Sequence, residues 1–207
     1  MQRVVVYVDG FNLYFGLRSK GWKKYYWLDL LALATSLLKE NQQELIQVHY
    51  FTSRICDNGR NSEDIQRQTT YLEALATFPK VVSHFGHYLE KPRLCKTCGA
   101  KWKDYEEKMT DVNIAVQMLT DAFEDHFDTA LLVSGDSDLT TPVSRILARF
   151  PDKKIIVALP PNRRSHQLTK AATGYFVINE TAFRRSQLPM EVQRADGYVL
   201  QRPIYWK

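Results

Sequence analysis

Short, nearly unbroken apolar runs rich in β-branched residues punctuate this chain at 3–8, 45–51, 81–85, 130–133, 155–159 and 175–178. Runs of that kind predict strands covered on both faces, since a strand with one wet face would alternate apolar and polar positions. Between them the apolar positions recur with helical spacing at 28–39, 62–78, 110–123, 139–150 and 165–172. Alternation of strand and helix predicts an α/β fold, a three-layer α/β/α sandwich around a mostly parallel central sheet.

Two segments break the rhythm. Residues 90–103 are polar and basic and contain Cys95-Lys96-Thr97-Cys98-Gly99, which predicts a surface insertion before the next helix. From 186 onward, Pro189, Gly197 and Pro203 predict a tail without regular structure. No Gly/Ser linker or repeat divides the rest, so the expected organisation is one domain over 1–185 and a tail over 186–207 packed on it or on a partner. Exposed apolar tail residues such as Tyr198, Val199, Ile204, Tyr205 and Trp206 leave a homo-oligomer open.

Composition narrows the class further. With 207 residues, 44% hydrophobic and 25% charged, the chain can bury one substantial core. The first apolar run stops at Asp9, and none reaches the roughly 18 residues a membrane helix needs, so a cytoplasmic protein is expected. Three cysteines, an odd number, make no disulfide framework and suit a reducing compartment. A net charge of +5 is compatible with a polyanionic partner without requiring one.

The candidate chemistry lies at the carboxyl ends of the predicted strands, where open parallel sheets bind ligands. Asp9 follows the first strand in Val8-Asp9-Gly10-Phe11-Asn12, and Asp136 and Asp138 follow another in Ser134-Gly135-Asp136-Ser137-Asp138. Gly10 and Gly135 predict tight turns beside them. A third acid, Asp111, follows Thr110, the expected helix N-cap, and shares the apolar stripe of Ala115, Met118, Leu119 and Ala122 that must face the sheet. Any one of these aspartates has an ordinary use in a cap or an Asx turn. Four converging carboxylates repel one another unless a cation neutralises them, and hard oxygen donors without histidine favour magnesium or manganese over zinc. Such a cluster suits phosphodiester hydrolysis by an activated water.

The blocks Tyr7-Val8-Asp9-Gly10-Phe11-Asn12-Leu13, Glu107-Lys108-Met109-Thr110-Asp111-Val112-Asn113 and Ser134-Gly135-Asp136-Ser137-Asp138, in that order, resemble the NYN domain of the PIN-like nuclease superfamily, in its bacterial LabA-like branch. The resemblance runs to about residue 168. It implies a PIN-like fold and metal-dependent endoribonuclease activity. Position by position, Asp9, Asp111, Asp136 and Asp138 match the acidic metal-binding and catalytic positions, and Asn12 matches the polar residue of the opening block. Phe11 departs from the small or polar residue many relatives carry there, which leaves the shape of the pocket wall open.

Around that edge, Asn12, Lys108, Ser134, Arg163, Arg164 and Ser165 are candidates to hold RNA phosphates, with Lys170 nearby. Phe11, Tyr14, Phe15, Trp22 and Trp27 divide between base stacking and core packing. Cys95 and Cys98 form a zinc-type knuckle, but a structural zinc wants four ligands. The nearest candidates, His84 and His87, point to opposite faces of one strand because their spacing is odd.

Three rivals remain. A haloacid-dehalogenase-type phosphatase needs a second acid two residues after Asp9, where this chain has Phe11. A Rossmann protein would need a glycine fingerprint that is absent. A non-catalytic RNA-binding or assembly module on the same fold keeps its place, although all four acids are retained. Single-stranded DNA stays open as a substrate beside RNA.

Overall fold

The structure is a computed structural model and describes residues 1–206. From the N-terminus the chain forms β1 (Gln2–Asp9), α1 (Gly10–Ser19), α2 (Leu30–Ser36), β2 (Gln43–Thr52), α3 (Ser62–Leu75), β3 (Val81–Phe85), β4 (His87–Leu94), β5 (Lys101–Lys108) and α4 (Thr110–Phe123). It continues through β6 (Thr129–Val133), α5 (Thr140–Arg149), β7 (Lys154–Leu159), α6 (His166–Ala171), β8 (Gly174–Val177), α7 (Glu180–Arg185), β9 (Glu191–Gln193) and β10 (Val199–Gln201).

Six strands form one parallel sheet in the order β3-β2-β1-β6-β7-β8. Successive residues of β1 serve opposite faces. Val4, Val6 and Val8 pack with Leu13 and Leu17 of α1, Leu33 of α2 and Leu75 of α3. Val5 and Tyr7 pack with Ile114 and Met118 of α4, Ile146 of α5 and Leu168 of α6. Each fully buried aliphatic side chain there is worth about 1.5–3 kcal/mol, which is why a run without polar breaks was needed. The result is the expected PIN-like α/β sandwich.

Strand order reverses direction beside β1. The chain first moves outward through β2 and β3, then returns to place β6 on the other side of β1 and builds outward again. The loops after β1 and β6 therefore diverge at a topological switch point, leaving a crevice between them. Asp9 ends β1, and Ser134 to Asp138 follow β6 at that point.

Four local expectations need correction. The insertion is wider than 90–103: β4 and β5 pair antiparallel from His87↔Lys108 to Leu94↔Lys101 as a hairpin. Cross-strand ion pairs such as Arg93 with Asp104 (3.0 Å) and Lys103 with Glu90 (3.0 Å) run along it. Met109, with a left-handed φ of 81°, occupies the cap position of α4, and Thr110 is the first helical residue. Gly10 and Gly135 serve close approach more than turning. A Cβ on Gly10 would sit 2.5 Å from the Phe51 carbonyl oxygen, and one on Gly135 would sit 2.7 Å from the Arg163 carbonyl carbon.

The tail is also ordered. β9 and β10 form a small antiparallel hairpin that buries Val192 and Leu200. The Trp27 indole donates to the Pro189 carbonyl (2.7 Å), and Trp206 packs against Tyr26, Trp27 and Tyr71. These contacts dock the tail on its own chain. Among the described residues no helix is long and apolar enough to cross a membrane.

Candidate active site

Asp9 has two local roles. As the N-cap of α1 its carboxylate accepts from the Asn12 backbone N–H (2.9 Å), and its other oxygen accepts from the Ser134 hydroxyl (2.8 Å). The Ser134 oxygen in turn accepts from the Asp136 N–H (3.0 Å), while Asp136 accepts from the Asp138 N–H (3.0 Å). The Asn12 side chain bridges the two loops, accepting from the Gly135 N–H (3.2 Å) and reaching Asp136 at 3.5 Å. This network fixes the β1 and β6 ends relative to each other before any ligand arrives.

The first turn of α4 delivers Asp111 to the same crevice. Asp9, Asp111 and Asp136 each offer a carboxylate oxygen, and the three oxygens lie within 4.8 Å of one another. Asp9 is only 2% exposed. Among the described residues none of the three has an ion pair with Lys or Arg; Lys108, the nearest in sequence to Asp111, pairs with Glu106 at 2.7 Å. Burial pushes the Asp9 carboxyl above its usual range, with Asp136 adding to the effect against the opposing hydrogen bonds. Burial, followed by repulsion from Asp9, Asp136, Glu107 and Asp138, pushes Asp111 up to about 7. Uncompensated negative charge at a partly buried oxygen cluster is the condition under which a hard divalent cation binds.

The fourth aspartate stands apart. Asp138 is exposed and lies outside the group of three, though close enough to repel Asp111. Glu107, which the sequence motif contains without marking as a site residue, stands beside the cluster instead. Its carboxylate accepts from the Thr110 backbone N–H (3.1 Å), the Thr110 hydroxyl and the Ser53 hydroxyl (3.3 Å). Only the return of the hairpin through β5 puts it there, a register that local spacing does not reveal.

The expected phosphate-binding residues separate. Ser134 is fully buried and bonded to Asp9 and Asp136, so it positions acids and cannot touch substrate. Lys108 is engaged by Glu106. Ser165 spends its hydroxyl on capping α6 through the Leu168 N–H (3.2 Å). Arg163 lies against Gly135 and over the Phe15 ring (5.5 Å), beside the crevice. Arg164 lies over Tyr175 of the edge strand β8 (5.9 Å), and Lys170 occupies the last turn of α6. Trp27 is core and Trp22 packs against it, whereas Tyr14 and Phe15 are exposed.

The structure does not bring His84 or His87 to the cysteine knuckle, so a four-ligand zinc site completed by them within the chain is not formed. His84 is held by His49 at 2.8 Å, and His87 pairs with Lys108 at the root of the hairpin, whereas Cys95 and Cys98 turn its tip. Seven residues of strand, roughly 23 Å, separate His87 from Leu94. The two cysteines are therefore left without histidine partners.

The strand-order switch thus carries three facing carboxylates that could hold a metal ion. Residues 3–180 match the model of the NYN domain, and the chain belongs to that family, which lies within the PIN-like nuclease superfamily. Nucleases of this kind generally depend on divalent metal and act on nucleic acid. A relative is 6-hydroxy-3-succinoylpyridine 3-monooxygenase HspA of Pseudomonas putida, 28% identical over 191 residues. The match covers 76% of this chain and 59% of the relative, so the chain spans under two thirds of that protein's length. Among solved structures, a protein of unknown function from Vibrio parahaemolyticus shares the fold, with a TM-score of 0.51 and 22% identity over 86% of this chain and 94% of that one.

Proposed function

We propose that the protein is a magnesium- or manganese-dependent endoribonuclease that hydrolyses RNA phosphodiester bonds. The observation that carries this reading is the meeting of Asp9, Asp111 and Asp136 at the switch point, where among the described residues none of them is ion-paired with Lys or Arg. All three donors are hard oxygens, a set that fits either ion. Asp9, Asp111 and Asp136 would hold the ion, and the chemistry it would supply is charge neutralisation at the scissile phosphate and a lowered pKa for water, which could then lose a proton and attack as hydroxide.

The chain's own residues do the positioning. Ser134 and the Asn12 N–H hold Asp9 with both oxygens committed in direction, and the Asn12 side chain ties the Asp136 loop to α1. Glu107 and Asp138 lie close enough to add their negative charge at Asp111. Arg163, at the crevice wall, offers a cation to an incoming phosphate. The inferred setting is a cytoplasmic one.

The test is cleavage of labelled single-stranded RNA by the purified protein with manganese, magnesium or EDTA, beside folded Asp9→Asn and Asp136→Asn variants. Metal-dependent cleavage lost in both variants is the expected result. Folded wild type that binds RNA yet cuts neither RNA nor DNA would instead make this a non-catalytic binding module. The Pseudomonas relative supplies a second reading, because the likeness to it spans 76% of this chain. Consumption of 6-hydroxy-3-succinoylpyridine with dioxygen and a reductant, in place of RNA cleavage, would install it.

A further inference from the structure

α1 starts at the acid cluster, since Asp9 is its cap, and leads away from it. Its buried residues are Gly10, Leu13, Gly16 and Leu17, which face the sheet. Phe11, Tyr14, Phe15 and Arg18 recur at i, i+3, i+4 and i+7, so they share a second face. That face is not packed away: Tyr14 is 41% and Phe15 39% exposed. A helix in a sandwich needs one apolar stripe, and this one carries a row of aromatic rings toward solvent as well.

The rings are arranged. Phe11 and Phe15 are nearly parallel (23° between planes, centroids 6.5 Å apart), and the Tyr88 ring of β4 meets Phe11 edge-on at 6.5 Å. Tyr14 leans on Tyr26 at 5.1 Å. Between this face of α1 and the start of α3 lies a cleft of about 540 Å³ that reaches Gly10, the residue next to Asp9. That volume lies within the range of ordinary small-molecule sites. Arg163 covers the Phe15 ring on the crevice side, and Arg18 lies at the far end of the row.

We propose that this aromatic cleft seats unpaired bases of single-stranded RNA next to the scissile phosphate, an inference that rests on the nuclease reading above. Three features select a nucleic acid strand over an apolar protein segment. The cleft ends at Gly10, next to Asp9; the guanidinium groups of Arg18 and of Arg67 on α3 line it beside the rings; and Tyr14, Tyr26 and Tyr88 give its wall polar as well as aromatic surface. Stacking on rings tolerates any base and requires that base to be unpaired, so the substrate class is single-stranded with little sequence preference. Phe11, the departure from the family pattern, is the first ring of the row.

The experiment measures binding apart from cleavage. Anisotropy of a short fluorescein-labelled single-stranded RNA is followed with magnesium present, on the Asp136→Asn background, which prevents turnover. Tyr14→Ala and Phe15→Ala are added singly, with Tyr14→Phe as the variant that keeps the ring; thermal melts confirm folding. The expected result is about tenfold weaker binding for each alanine variant and full retention by Tyr14→Phe, following the effect of removing one stacking ring. Unchanged affinity in folded alanine variants, with metal-dependent cleavage by the wild type intact, would overturn the cleft and leave the nuclease. Wild type that neither binds nor cuts RNA would overturn both.

Discussion

Ser134 shows how a side chain that never meets substrate can control the site. Its hydroxyl donates to Asp9 and accepts from the Asp136 N–H, so one atom sets the direction of two acids. Outer partners of metal ligands are typically worth 10–100-fold in affinity or activity. Ser134→Ala is therefore expected to weaken manganese binding by roughly tenfold or more, read by titration calorimetry, with little change in fold because the vacated space is small. Unaltered metal affinity would mean that the Asn12 N–H alone suffices to orient Asp9. Asp111 gives a prediction with a pH sign. Its carboxyl titrates near 7 in the metal-free protein, above its ordinary value, so the folded state holds a proton that the unfolded state releases. The penalty on the ionised form is absent below about pH 4 and complete above about pH 7. Asp111→Asn should thus raise the melting temperature of metal-free protein at about pH 8 and leave it unchanged at about pH 4. A lower melting temperature at the alkaline end would show that the carboxylate is compensated by something other than a cation. The buried His49 ring moves oppositely: desolvation pulls it down to about 4, against the nearby Asp121 charge, so its share of stability is full above about pH 6.5 and is lost as the pH falls toward 4.

Elements differ in how plainly the chain announces them. The inner strands β1, β6 and β7 were legible because they are buried on both faces along most of their length and so read as nearly unbroken apolar runs, whereas β2 is buried over its second half and the edge strands β3 and β8, with Val82, Phe85, Tyr175 and Val177 exposed, were legible as short β-branched and aromatic runs. α1 was not, because its inner face contains Gly10 and Gly16 and its outer face carries Phe11, Tyr14 and Phe15, which blurs the helical period. β9 and β10 are three residues each and bury one side chain apiece, too little signal beside Pro189 and Gly197. Of the site, Asp9, Asp111 and Asp136 were legible from their strand-end and first-turn positions, while Glu107 depended on hairpin register and the burial of Ser134 on the packing of β6 against β1. The β4–β5 hairpin supplies two tests of its own. With no histidine near its tip, Cys95→Ser and Cys98→Ser together should shift stability by no more than about 0.5 kcal/mol, the scale of ordinary surface changes, and EDTA should leave that small shift unaltered. Where the hairpin hands over to α4, Met109 holds a left-handed φ of 81° with its side chain 47% exposed. A side chain with a Cβ pays about 1–2 kcal/mol in that region, so Met109→Gly should stabilise by up to about 1 kcal/mol after the entropy glycine adds to the unfolded chain. Denaturant midpoints read both, and a loss on Met109→Gly would mean the Met109 side chain contributes packing that its exposure conceals.

At the scale of the whole molecule, the fold sets opposite charges side by side. Three acids occupy the bottom of the crevice, while Arg163 on its wall and Arg18 along α1 extend a positive path outward from it, on a chain whose net charge is +5. On the proposed nuclease reading, an RNA strand crossing that edge would meet repulsion at the centre and attraction on both sides, so a cation held by the acids and the arginines would act on the same ligand at different points. Binding through the arginines releases counterions from the RNA, and each phosphate neutralised contributes about 0.7 to the slope of log K against log salt for a single strand. Affinity for single-stranded RNA should therefore fall as salt rises, with a slope near −1.4 if Arg163 and Arg18 each hold one phosphate. Arg163→Ala should lower the magnitude of that slope by about 0.7 and weaken binding to all sequences alike, because a phosphate contact carries no base identity. Arg164→Ala should leave the slope unchanged, since its guanidinium lies over Tyr175 on the edge strand. Equal slopes for wild type and Arg163→Ala, measured by anisotropy across a salt series, would remove Arg163 from the path of the strand and place the RNA on the hairpin side of the acids, where Lys91, Arg93 and Lys103 already have carboxylate partners.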